Sequence, residues 1–482
     1  MEKVKTSNRV KLFLENMLVY GLGGAIGKLI PFIMLPIITR MLPNTFYFGI
    51  NDICALIVSF GQAIVIMGMY DGMFRIFFDV DNKEEKTKVC STALGMVVVN
   101  IVIITLVFLL FRKRLTLFFY GDEEYIDLLW LSLINIISGA LNVIIVAPAR
   151  MENRRVVFLV SNIMSSLISY TLSIILLMRR CYITALPIGT LASNGVLLVI
   201  YILLNKKWFS LKKCSRKYLH EMLLIALPLV PNMLLYWIFN SCDRMMITSY
   251  LGLEADGIYA AGAKIGQVSQ LIYMAFAGGW QYFAFSTMKD DDQVEMTSKI
   301  FEYLGMVTFI AGMIMMLVCK FVFQVMFPER YQEGYIISPY LFIAPLLLML
   351  FQTAGNQFIV IKKTWINLFV LILGALTNIG INWWLIRHIG IEGAAIGTFM
   401  GYVVSVLGVV ILLQKMDLLK ISGKFAIAVM IFMGYGIMWR FYGINHSIPM
   451  ILIFIASIYI YILLYWKDVR KLAIKVDKDS LH

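Results

Sequence analysis

Long apolar runs recur along the whole chain, and they restrict its fold more than any other feature. A helix needs about 20 apolar residues to cross a hydrocarbon core about 30 Å thick. Hydrophobic residues make up 60% of the 482 residues and charged residues only 15%, which a soluble domain would not show. We therefore expect an all-α polytopic membrane protein with 14 spans, at residues 12–38, 46–69, 89–111, 125–147, 156–178, 182–204, 219–240, 257–283, 300–326, 336–361, 364–386, 391–413, 422–441 and 448–466.

The distribution of basic residues predicts the orientation of these spans. With the N-terminus in the cytoplasm, most of the 42 Lys and Arg residues fall in cytoplasmic segments, as the positive-inside rule requires. The cluster at 112–114 is a local exception on the outer side. Both termini are therefore predicted to be cytoplasmic. The net charge of +13 then reflects topology and contact with anionic membrane lipid, and it does not indicate nucleic-acid binding.

An internal repeat divides the chain into two halves. At a constant offset of 208 residues, FGINDICAL at 48–56 falls on DGIYAAGAK at 256–264, and ITALPIGT at 183–190 falls on IEGAAIGT at 391–398. Six spans in each half give the two halves the same orientation, as in many secondary transporters. The predicted parts are an N-terminal bundle at 1–204, a basic cytoplasmic linker at 205–217, a C-terminal bundle at 218–413, and a last segment at 414–482 with two appended spans and a cytoplasmic tail.

Two lysines fall inside predicted spans, Lys28 in span 1 and Lys264 in span 8. A charge near the bilayer centre costs roughly 2.5–3.5 kcal/mol on insertion scales, so it usually faces a cavity or a partner. The alternative is that each lysine snorkels to the nearer interface, and for Lys264 the two interpretations have equal weight. Two cations from two halves would suit an anionic substrate.

Acidic and basic residues of the second span are further candidates. Asp52 lies about two turns into that span, where it could pair with Lys28 or bind a coupling H⁺ or Na⁺. Arg75 and Asp71 have the i,i+4 spacing of a surface helix pair, although Arg75 could also help to gate the inner mouth. Asp243 and Arg244 are expected to form an exposed ion pair at the outer rim of span 7.

Paired prolines open both halves. Pro31 and Pro36 lie in span 1, and Pro228 and Pro231 lie in span 7. Proline removes a backbone hydrogen bond and bends a helix. Broken helices at matching places of two repeats predict hinge positions beside a transport pathway.

The motifs that are missing narrow the function. The sequence has no GxxxxGK[ST] phosphate loop and no HExxH, and its six cysteines form no CxxC pair. We therefore predict no catalytic residues, no metal site, no bound cofactor and no enzyme activity. No loop is long enough to fold as a catalytic domain, which argues against a glycan polymerase or glycosyltransferase.

Three segments resemble a known family. DRMMITSYLGLEADGIYAAGAKIGQV at 243–268, GMYDGMFRIFFD at 68–79 and GIEGAAIGTFMGY at 390–402 are similar to segments of polysaccharide-type flippases. These flippases belong to the multidrug/oligosaccharidyl-lipid/polysaccharide exporter superfamily. The resemblance covers essentially the whole chain, in order and spacing.

The resemblance implies two six-helix bundles around a central cavity, followed by a C-terminal helix pair, in a bacterial plasma membrane. It implies a carrier that moves undecaprenyl-diphosphate-linked oligosaccharides to the outer leaflet by alternating access, alongside a polysaccharide polymerase and glycosyltransferases. Lys28, Arg75 and Lys264 stand where its cavity cations would lie. A cation-coupled drug or metabolite exporter, with Asp52 as the essential acid, and a lipid II flippase remain as alternatives.

Overall fold

The computed structural model describes residues 29–274, 276–277, 280, 292–444 and 446–479, with the backbone alone at 155 and 467–479. In these ranges the chain forms helices and turns and no strand. The α-helices are α1 Leu29–Met41, α2 Phe46–Ile66, α3 Met69–Asp79, α4 Lys83–Tyr120, α5 Ile126–Met151, α6 Arg155–Met178, α7 Ala185–Asn205, α8 Arg216–Ala226, α9 Val230–Leu251, α10 Leu253–Gly266, α11 Gln293–Met326, α12 Ser338–Val360, α13 Trp365–Ile389, α14 Ile391–Lys415, α15 Gly423–Met438 and α16 Ser447–Asp479.

Short helical turns of other pitch connect several of these helices. The 3₁₀ segments are Glu123–Tyr125, Lys206–Trp208, Leu211–Lys213, Leu227–Leu229, Gln267–Ser269 and Glu329–Ile336, and a π turn covers Trp439–Gly443.

Twelve helical segments in the described ranges are long and apolar enough to cross a membrane. They coincide with twelve of the 14 predicted spans, so the all-α polytopic class is confirmed. The first and eighth predicted spans lie partly outside the described residues. The long apolar runs form helices because a single segment satisfies all of its own backbone hydrogen bonds in lipid only as a helix.

The chain folds into two compact units. The first contains the residues up to Ala261 together with Asn382–Ala394. Its core lies between α2, α3, α4, α5 and α8, where Ile50, Met73, Val89 and Ile136 are almost completely buried. The second contains Gly262–Ile381 and the residues from Ala395 onward. The predicted N-terminal bundle at 1–204 and C-terminal bundle at 218–413 stay predictions.

In the second unit, one buried carboxylate ties three helical segments together. Glu302 of α11 accepts hydrogen bonds from the backbone amide of Ser422 at 2.6 Å and from its hydroxyl at 2.9 Å. The hydroxyl of Tyr465, on α16, donates to the same carboxylate at 3.0 Å. These donors satisfy a group whose burial would otherwise be costly.

The basic segment 205–217 is docked on the first unit. The amide of Ser210 donates to the hydroxyl of Ser91 at 2.9 Å, and the amide of Ser215 donates to the hydroxyl of Thr92 at 2.9 Å. Both hydroxyls belong to α4. Contacts along its length therefore hold this segment, which was predicted as a linker, against the helices of the first unit.

Candidate functional site

Helices α2 and α10 touch at two glycines of the first unit. A Cβ atom built on Gly49 would lie 2.0 Å from the carbonyl oxygen of Leu253, and one built on Gly257 would lie 2.0 Å from that of Thr45. Only glycine fits at such backbone contact. The two glycines occupy equivalent positions of the 208-residue repeat. This contact brings the polar residues of α2 and α10 together.

A buried ion pair lies one turn further along α2. The Nη1 atom of Arg244, on α9, donates to Oδ2 of Asp52 at 2.6 Å. The side chains are only 12% and 4% exposed, respectively. The two residues are 192 positions apart. The pair therefore joins α9 to α2, two helices whose other residues are mostly apolar.

A second carboxylate lies beside this pair. Asp243 accepts a hydrogen bond at Oδ1 from the backbone amide of Arg244 at 2.9 Å, and its Oδ2 accepts one from the hydroxyl of Tyr259. Asp243 and Tyr259 are both buried. Tyr259 lies on α10, so this bond joins α9 to α10.

The third carboxylate belongs to Asp256 of α10, which is 0% exposed. Neither of its oxygens accepts a hydrogen bond from another group in the described residues. Asp52, Asp243 and Arg244 lie close enough to interact with it electrostatically. We call Asp52, Asp243, Arg244, Asp256 and Tyr259 the buried charge cluster.

The buried charge cluster gives Asp52 a partner that the sequence did not predict, and it corrects the prediction for Asp243 and Arg244. Asp52 pairs with Arg244, whereas the expected partner, Lys28, lies outside the described residues. The prediction of an exposed rim pair between Asp243 and Arg244 is wrong, since Asp243 is buried and the Arg244 side chain is only 12% exposed. The physical reason is that the helix continues to Leu251, well beyond the predicted end of span 7 at residue 240, so both residues lie inside it.

The other predicted cations are not among the residues of this cluster. Arg75 of α3 forms an exposed ion pair with Asp79, and the side chains are 64% and 51% exposed. The expected partner, Asp71, lies four residues before Arg75 in the sequence, whereas Asp79 lies four residues after it. Lys264 is half-buried in α10 and belongs to the second compact unit. Their roles as substrate-binding cations stay predictions.

The predicted hinge prolines occupy two different settings. Pro31 and Pro36 lie within α1, whose helical backbone runs through both positions. Pro228 lies in the 3₁₀ turn Leu227–Leu229, and Pro231 lies in the first turn of α9. The seventh predicted span therefore consists of α8 and α9 joined by a 3₁₀ turn at Pro228. Whether either site acts as a hinge stays a prediction.

Sequence reasoning missed a lysine-lined cavity at the predicted cytoplasmic end of the first unit. It has a volume of about 570 Å³ and lies between the start of α4 and the segment 205–217. One of its lysines, Lys213, is 3.8 Å from Glu84, and another, Lys207, is 2.9 Å from Glu152. The lining residues are Asn82, Lys83, Glu84, Thr87, Lys206, Lys207, Phe209, Ser210 and Lys213.

Comparison with known proteins gives the family. A family model described as "Polysaccharide biosynthesis protein" matches residues 13–288, more than half of the chain. The chain belongs to this family. The matched segment contains every residue of the buried charge cluster and the docked segment 205–217. A search of curated proteins finds no match.

Solved structures give the fold. The chain is similar to an inward closed structure of the lipid II flippase MurJ, with a TM-score of 0.71, 14% sequence identity, and coverage of 96% of this chain and 99% of that one. It is also similar to an inward-facing multidrug resistance MATE transporter of the MOP superfamily, with a TM-score of 0.60, 16% identity, and coverage of 84% and 94%. A MATE protein in complex with MaD3S gives a TM-score of 0.57 at 16% identity, with coverage of 84% and 95%.

The family match confirms the predicted resemblance to polysaccharide-type proteins. At 14–16% identity the solved structures establish a shared fold, and the family match concerns polysaccharide biosynthesis. Together they describe a multi-pass membrane protein of polysaccharide biosynthesis with the architecture of a lipid flippase or exporter.

Proposed function

We propose that this protein is a flippase that moves undecaprenyl-diphosphate-linked oligosaccharide repeat units from the inner to the outer leaflet of a bacterial plasma membrane. The observation that carries the proposal is the family match over residues 13–288 in a chain with the fold of membrane transporters. The repeat units would serve surface polysaccharide synthesis, after glycosyltransferases and before a polymerase. The protein would act as a carrier and catalyse no covalent chemistry.

The physical task of such a carrier is to shield a charged headgroup. A diphosphate and its hydrophilic sugars cannot cross about 30 Å of hydrocarbon unless polar groups replace their water. Alternating access would open a polar chamber first to one side and then to the other, while the polyprenyl tail remains in lipid. Lys28, Arg75 and Lys264 are the proposed cations for the diphosphate.

The buried charge cluster supports a mechanism with moving helices. Charged groups inside transporter helices are costly and usually serve a substrate or ion pathway. Here they join α2, α9 and α10, and α9 follows directly on the proline-containing 3₁₀ turn at Pro228. A change in this cluster would thus act on a helix that adjoins this turn.

Two alternatives keep a specific observation in their favour. The structural similarity to MurJ favours a lipid II flippase, whose substrate would also be a polyprenyl diphosphate. The similarity to a MATE transporter, together with the three buried aspartates, favours a cation-coupled exporter. A lysine rather than an acid in the core of the first predicted span argues against an organic-cation substrate.

Replacement of Lys28 by alanine tests the proposal in cells. We expect Lys28→Ala to abolish surface polysaccharide while the protein still inserts at normal levels, because the anionic headgroup loses a desolvated cation. The measurement is surface polysaccharide by immunoblot, with membrane fractionation for insertion. Lys113→Ala is the matched control, since Lys113 is exposed and its ion pair with Glu123 is on the surface.

Normal polymer in Lys28→Ala cells would contradict the cationic-chamber model. Efflux of an organic cation such as ethidium by the wild-type protein would instead support the exporter. Loss of cell-wall synthesis with intact surface polysaccharide would assign the protein to lipid II.

A further inference from the structure

Asp256 is a fully buried acid for which the proposed transport cycle has no role so far. Its residue is 0% exposed, and both carboxylate oxygens lack a hydrogen-bond partner among the described residues. Native proteins pair the great majority of buried polar atoms. An ionised carboxylate in this state would be a charge taken out of water with no donor to replace its hydration.

The groups around Asp256 compensate such a charge only in part. From α2 comes Asp52 and from α9 come Asp243 and Arg244, while Tyr259 lies one turn along α10 itself. The single guanidinium donates to Asp52, and the Tyr259 hydroxyl donates to Asp243. With all three acids ionised, three negative charges would share one positive charge in a buried space. Like charges in a buried space disfavour one another's ionised forms, which favours a neutral Asp256.

We propose that Asp256 is a proton-binding site, occupied in the conformation described here. Its proton leaves to water when the cluster opens, and the ionised carboxylate takes a proton from water when the cluster forms again. As a step of transport this rests on the proposed flippase function, and it would make H⁺ the coupling ion. Proton binding itself does not depend on any substrate.

A proton fits this site better than a metal ion does. Among the described residues, no three His, Cys, Asp or Glu side chains are arranged to hold a metal ion. Sodium or calcium needs several oxygen ligands at once, whereas a proton neutralises one carboxyl group without any further ligand. Oδ2 of Asp52 and both carboxylate oxygens of Asp243 are moreover engaged by Arg244 and Tyr259.

Protonation of Asp256 is also linked to the glycine contact between α2 and α10. Gly257 lies next to Asp256 in sequence, so the backbone contact between α2 and α10 holds this carboxyl group in the charge cluster. Release of the proton would leave an extra negative charge beside Asp52 and Asp243. We therefore infer that deprotonation of Asp256 weakens the contact between the two helices.

Infrared spectroscopy of purified protein in lipid nanodiscs tests this directly. We expect wild-type protein at neutral pH to show the C=O stretch of a buried carboxylic acid, and this band to disappear as the pH is raised. The band should be absent in Asp256→Asn and unchanged in Asp79→Asn, whose carboxylate is on the surface. Retention of the full band in Asp256→Asn, or its absence from the wild type, would overturn the proposal.

Two further readouts keep the test decisive. Asparagine has nearly the shape and the charge of a protonated aspartate, so Asp256→Asn should fold and should lose the alkaline destabilisation that we expect of the wild-type protein. The unfolded chain releases this proton more readily, which is why raising the pH should lower the wild-type unfolding temperature. Failure of Asp256→Asn to fold would contradict the proposal.

At fixed pH, sodium chloride could replace the carboxylic-acid band by a carboxylate signal while choline chloride does not. That result would assign the site to sodium and would also overturn the proposal. None of these measurements uses a lipid-linked sugar. Their failure would therefore leave the flippase proposal standing, and failure of the flippase proposal would leave them valid.

Discussion

Replacement of Arg244 by alanine is expected to destabilise the protein severely and to abolish its activity. The substitution leaves Asp52 buried without its guanidinium partner, and it also removes the only cation of the buried charge cluster. Loss of one partner from a buried pair typically costs about 3–5 kcal/mol. The measurement is the unfolding temperature of detergent-purified protein, together with the yield of monodisperse material.

Matched substitutions separate charge from packing. The double variant Asp52→Ala/Arg244→Ala removes both charges of the pair and should recover part of the stability that Arg244→Ala loses. Arg75→Ala should have almost no effect on the unfolding temperature, because exposed pairs such as Arg75–Asp79 contribute about 0–1 kcal/mol to stability. Equal unfolding temperatures for Arg244→Ala and Arg75→Ala would contradict the central role of the buried pair.

Replacement of Gly257 by valine is expected to have an effect of similar size through sterics alone. Its first side-chain carbon would lie 2.0 Å from a backbone carbonyl oxygen of the segment that begins α2. A backbone oxygen cannot turn aside as a flexible side chain can, so α2 and α10 must separate. Overpacking of this kind costs about 1–3 kcal/mol and sometimes more. We expect a lower unfolding temperature and loss of surface polysaccharide in cells.

The repeat offers an internal comparison for this prediction. Gly49→Val should reproduce the phenotype of Gly257→Val, because the two glycines contact the facing helix in the same way. Gly195→Ala is the control, since no atom lies within 4 Å of an added Cβ on this residue of α7. That substitution should be neutral or stabilise by up to about 1 kcal/mol. Wild-type stability of Gly257→Val would show that the helices do not need their close contact.

The sequence predicts the helices well because its strongest signal is local. Twelve of the predicted spans fall on helices of sufficient length, since apolar runs of about 20 residues have one stable form in lipid. Helix ends are harder. α9 extends to Leu251 although Asp243 and Arg244 make its last turns polar, because tertiary partners satisfy these charges.

The site depends on pairings that one sequence does not contain. Asp52 was a candidate from its position in a span, but its partner Arg244 lies 192 residues away. Nothing local identifies that partner. The 208-residue offset did align Gly49 with Gly257, yet it could not show that repeat-related glycines contact each other. In the sequence, Asp256 lies at the boundary of the eighth predicted span, a position that does not predict burial.

One measurement tests the central claim most directly. The purified protein would be reconstituted in liposomes that carry a fluorescent undecaprenyl-diphosphate-linked oligosaccharide in both leaflets, and an impermeant quencher would be added outside. If the protein is a flippase for this lipid, the fraction accessible to the quencher should rise from about half towards completion, and protein-free liposomes should stay at about half. Equal quenching with and without the wild-type protein, under both a proton gradient and a sodium gradient, would contradict the proposed function.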